Sequence, residues 1–125
     1  MRVLSKPAVF LVALVAVLHV AFFALEMFFW DHPVGRKIFN MTPEASATSA
    51  PLAMQQALYN GFLVAGLVWG LIAKRIDILI FFLICVITAG VFAALTVKPS
   101  IFFSQAVPAI LALFFVWRSR PTGTA

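Results

Sequence analysis

The sequence predicts an all-α, polytopic membrane protein folded as an antiparallel four-transmembrane-helix bundle. Of its 125 residues, 64% are hydrophobic and only 10% are charged, whereas soluble domains carry roughly 25% charged residues. Mean hydropathy is +1.10. The apolar residues fall into four runs, Pro7–Trp30, Leu52–Ala73, Ile78–Val97 and Ile101–Trp117. Each is about 17–24 residues, enough to cross a hydrocarbon layer at ~1.5 Å per residue. The polar residues are too few to coat a soluble core, so a single integral membrane domain over 1–125 is expected.

Arg2 and Lys6 precede the first run and give it the look of a signal peptide. The run is too long for the apolar part of such a leader, and no small-x-small cleavage site precedes Asp31, so a retained span is expected. Pro7 suits the first turn of a helix, where its missing N–H costs nothing. An outer loop over 31–51 follows. It contains the Ser/Thr/Ala-rich stretch Glu44–Ala50, after which Pro51 is expected to open the second helix. Lys98-Pro99-Ser100 separates the third run from the fourth, with Ser100 placed to cap the fourth helix. Pro108 lies inside that helix, where it should bend the axis and free a carbonyl.

Positive charge sets the expected orientation. Arg2, Lys6, Lys74, Arg75, Arg118 and Arg120 fall on one side; Arg36, Lys37 and Lys98 fall on the other. The bias places both termini in the cytoplasm, in a cell membrane. Trp30 on the outer side, and Trp69 and Trp117 on the inner, fit interfacial aromatic belts. The net charge of +5 is carried by segment ends. It points to lipid headgroups and not to nucleic acid.

The polar residues inside the runs are few and patterned. His19 and Glu26 are seven residues apart, hence on one helix face and ~10 Å apart in depth. Gln56, Tyr59 and Asn60 share one stripe of the second run at i, i+3, i+4 spacing. Thr96 near the end of the third run and Gln105 near the start of the fourth fall at a similar depth, with Trp30 at the rim. Ionisable residues in a span cost about 2.5–3.5 kcal/mol on insertion scales and commonly mark a site. Membrane helices also use Gln, Asn and Thr as interhelical glue at about 0.6–2 kcal/mol each, and a lone buried His is commonly a satisfied core residue. Asp31 and His32 are expected in the wet loop. Cys85 is the single cysteine, cannot pair within the chain, and reads as a small buried hydrophobe. No zinc, iron–sulfur, phosphate-loop, nucleophile or H-E-x-x-H pattern is present, so no cofactor and no metal are expected.

Four segments resemble one family. His19–Trp30 (HVAFFALEMFFW), Gln56–Gly66 (QALYNGFLVAG), Cys85–Thr96 (CVITAGVFAALT) and Gln105–Leu111 (QAVPAIL) are similar to the integral membrane family termed domain of unknown function 1304. The family pattern at the start of the second span is Asn-Gln-Gly-Leu-Tyr-Asn, where this chain reads Gln55-Gln56-Ala57-Leu58-Tyr59-Asn60. The resemblance spans all four runs and implies a four-span membrane protein. It implies no activity.

Three functions therefore stay open. The first is binding or transport of a small lipophilic or protonatable molecule in an outward-facing polar pocket. Its ligand-binding residues would be Glu26, Trp30, Gln56, Tyr59, Asn60, Thr96 and Gln105; transport would call for a homo-oligomer, since four helices are few for a gate. The second is an intramembrane acid/base enzyme, an isomerase or hydrolase, with His19 and Glu26 as catalytic candidates. The third is a structural or accessory subunit among membrane lipids, its polar groups serving only to lock the bundle.

Overall fold

In the computed structural model, residues 4–119 are described. Arg2 and Arg120, counted above in the charge bias, lie outside the described residues. The described chain is helical: α1 (Lys6–Phe28), α2 (Pro33–Phe39), α3 (Pro43–Ala73), α4 (Ile76–Thr96), a π-helical turn (Phe102–Ala106) and α5 (Val107–Ser119). No strand occurs among the described residues. Four of the helical segments, Lys6–Phe28, Pro43–Ala73, Ile76–Thr96 and Phe102–Ser119, are long and apolar enough to cross a membrane.

Local chemistry sets the helix ends. Ser5 caps α1, its hydroxyl accepting from Ala8 N–H, with Pro7 in the first turn. The helix ends at Phe28, two residues short of the expected Trp30. What was expected to be a loop after it is largely helical. His32 caps the short helix α2 through Nδ1, which accepts from Val34 N–H at 3.1 Å, and Asn40 closes it in the left-handed conformation. The second spanning helix starts at Pro43, not at Pro51. Thr42 Oγ1 accepts from Ala45 N–H at 3.1 Å, and Pro43 takes the proline-tolerant first position. Pro51 is consequently inside α3. The Ser/Ala-rich stretch before it is compatible with helix, and its hydroxyls find partners that hold it in place.

The helices form an antiparallel square. α1 packs on α3 and α5, and α4 packs on the same two, so α1 and α4 are diagonal. Along the α1–α5 seam, Ser5 N–H donates to Ser119 Oγ at 3.2 Å. From that point both helices bury a matched series, Ala8, Val12, Val15 and His19 on α1 and Val116, Ala112 and Ala109 on α5. Leu67, Leu79, Leu83 and Val86 fill the remaining core.

Irregularity in the fourth span precedes its proline. Ahead of Pro108, where a bend was expected, stands the π turn, in which Val107 N–H reaches back to Phe102 O. Ser100 contributes its carbonyl, which accepts from Phe103 and Ser104 N–H, and no side-chain cap bond forms there. Gly90 makes room for this turn: a Cβ there would lie 3.0 Å from Ala106 N and 3.1 Å from Gln105 Cγ.

Candidate functional site

Glu26 and Asn60 meet. The 3.6-residue period puts Glu26 on the α1 face toward α3, and Asn60 on the α3 face toward α1. Asn60 Nδ2 donates to Glu26 Oε1 at 2.6 Å. Asn60 is buried and Glu26 half-buried. The second carboxylate oxygen, Oε2, accepts from no described residue. Aromatic side chains border the pair: Phe23 packs edge-on to Phe28, ring centroids 6.2 Å apart, and lies over Gly61, next to Asn60.

His19 is not beside Glu26. It is fully buried. Its Nδ1–H donates to Val15 O at 2.9 Å, which leaves Nε2 as an acceptor, and Nε2 has no partner among the described residues. Phe22 presents a near-perpendicular ring at 5.1 Å. Such an orphaned acceptor costs about 1–3 kcal/mol relative to a satisfied one.

The other expected site residues are dispersed. Gln56 is exposed, and Tyr59 is 50% exposed and packs edge-on to Phe62. Thr96 is exposed on α4, diagonal to α1, and its hydroxyl donates to Phe92 O at 2.8 Å, within its own helix. Gln105 lies in the π turn against Gly90. Trp30 makes its contacts with α3 and α2. Its Nε1–H donates to Ser49 Oγ at 2.8 Å, and its ring stacks at a tilt on Phe39 with centroids 4.8 Å apart.

Trp30 instead lines a groove of about 420 Å³ at the end of the bundle that carries α2, together with Phe39, Asn40, Met41, Val97 and Lys98. Polar contacts brace that end. Asp31 Oδ1 accepts from Arg36 Nη1 at 2.9 Å and from the buried Ser46 hydroxyl at 2.7 Å. Lys98 Nζ donates to Ile38 O at 2.8 Å, tying α4 to α2. Asp31 and His32, expected to be merely solvated, thus brace and cap α2. Ser46, Ser49 and Lys98 were not among the expected site residues; Thr42-Pro43 followed by serines three residues apart was the available signal for the serines. No group of three or more His, Cys, Asp or Glu able to hold a metal occurs among the described residues.

A family model described as "Protein of unknown function (DUF1304)" matches residues 13–117. The chain belongs to the DUF1304 family. The match runs from within α1 to within α5, so it takes in Glu26, Asn60, His19 and the π turn, and agrees with the four motifs quoted above. The DUF1304 description names no activity. Comparison with curated proteins gave no match, and comparison with solved structures gave none.

Proposed function

We propose that this DUF1304 protein binds a small lipophilic or protonatable molecule at Glu26, from the outer half of a cell membrane, with both termini cytoplasmic. The observation that carries the reading is the Glu26–Asn60 pair. One carboxylate oxygen is held by an amide at 2.6 Å, while the other accepts from no described residue and is open to a guest. A carboxyl placed this way within an apolar segment exchanges a proton, or a hydrogen bond, with whatever approaches from the lipid side. The geometry favours this over acid/base catalysis: His19 is fully buried, with its Nδ1 engaged by Val15. A transport role would require a homo-oligomer.

The test uses the full chain in nanodiscs and a fluorescent lipophilic amine, an aminoacridine, as probe. Saturable binding that releases or takes up a proton, and that Glu26→Gln abolishes while leaving the melting temperature within a few degrees, supports the reading. Equal binding by Glu26→Gln refutes it. Loss of folding without Glu26 would assign the carboxyl to bundle assembly.

A further inference from the structure

We propose that the groove at the α2 end is a second site, separate from Glu26, that holds an anionic amphiphile: an acyl chain bearing a phosphate or carboxylate head. Its walls divide by chemistry. The Trp30 and Phe39 rings, Met41 and Val97 supply apolar surface, and Trp30 shows the groove its ring because Ser49 takes its indole N–H. Lys98 is the sole charged member of the lining. One of its three ammonium hydrogens is held by Ile38 O, which anchors the head and leaves two donors for an incoming oxyanion.

No carboxylate competes for that charge within the groove. Asp31, the acidic residue next to Trp30, is engaged by Arg36 and Ser46. Glu26 is bound to Asn60 and does not line the groove. A cationic guest would meet Lys98 head-on, and a neutral one would leave its ammonium donors unmatched. The location suits an amphiphile as well. The groove sits where the apolar stretches of α1 and α4 end, at Phe28 and Thr96. Tryptophan and lysine favour this boundary between chains and headgroups. Its volume of about 420 Å³ lies within the roughly 300–1,000 Å³ typical of small-molecule sites.

Trp30 is a built-in reporter. The double variant Trp69→Phe, Trp117→Phe leaves it as the single tryptophan of the three. The full chain is placed in phosphatidylcholine nanodiscs containing increasing fractions of chain-brominated phosphatidylglycerol, phosphatidylcholine or free fatty acid, and Trp30 quenching is followed. Phosphatidylglycerol or the fatty acid should quench at a several-fold lower mole fraction than phosphatidylcholine. Whichever of the two is stronger identifies the head as phosphate or carboxylate. The preference should vanish in Lys98→Gln, persist in Lys98→Arg, and persist in Lys37→Gln, which removes an exposed charge on α2 outside the groove. Equal quenching by all three lipids in the parent overturns the proposal, whether or not Lys98→Gln folds. A preference that survives Lys98→Gln, or that Lys37→Gln removes, overturns it too. Because aminoacridine binding is read at Glu26, either site can fail without the other.

Discussion

Asn60 donates to Glu26 across 2.6 Å, joining α3 to α1 by a single amide–carboxyl hydrogen bond within two otherwise apolar faces. The bond fixes where one carboxyl oxygen points and leaves the other open. The amide of a glutamine at 26 can accept from Asn60 through its own carbonyl, so Glu26→Gln should fold nearly as the parent does. Asn60→Ala removes the donor and should lower stability by about 1–3 kcal/mol. Thermal or denaturant unfolding in detergent, run side by side on both variants, measures the difference. If Asn60→Ala proves neutral, the bond is not holding the helices.

His19 makes the opposite case. Its ring is enclosed with one nitrogen unmatched, so Leu in its place removes an unsatisfied acceptor while filling a similar volume. His19→Leu should unfold within about 1 kcal/mol of the parent. His19→Ala, which leaves a void in the core, should cost about 2–4 kcal/mol. A large loss in His19→Leu would mean that Nε2 has a partner in the membrane.

Gly35 is buried in α2 against the backbone of the preceding turn. A Cβ there would lie 2.6 Å from Trp30 O and 2.9 Å from Trp30 Cα. Backbone gives way far less readily than the end of a side chain, so Gly35→Ala should destabilise the α2 cap by about 1–3 kcal/mol. Hydrogen exchange should show faster opening across 30–46, with the spanning helices unchanged.

Lys74 ends α3 in the left-handed conformation, φ 54°, where a side chain costs energy and glycine does not. Arg75 N–H bonds to Gly70 O at 3.0 Å around it. Lys74→Gly should stabilise the chain by about 0.5–1 kcal/mol. A raised melting temperature is the expected readout. An unchanged or lowered one would mean that the lysine head contributes to stability at that end.

The four apolar runs were legible in the sequence because a membrane demands runs of a set length; the stripe of Gln56, Tyr59 and Asn60 was not, since Asn60 alone of the three is buried. Residue spacing along one helix carries no information about the register of its neighbour. Depth matching therefore grouped Thr96 and Gln105 with Glu26, although the square arrangement sets α4, with Thr96, diagonally across from α1, and the π turn holds Gln105 against Gly90 of α4. Pro51 misled as a helix start because Thr42-Pro43 provides a better one eight residues earlier, and the serines between could be read as linker or as helix until Asp31 and Trp30 claimed them.

By itself, then, the sequence determined the membrane-type helical architecture, the family, and which few polar side chains are costly enough to matter. These follow from hydropathy and periodicity, which are local quantities. Only the tertiary structure decided that Glu26 pairs with Asn60, that His19 is sealed from the surface, and that Trp30 and Lys98 share a groove. Those facts depend on which helix faces meet and at what register. That choice is made by packing and hydrogen bonding between segments far apart in the chain.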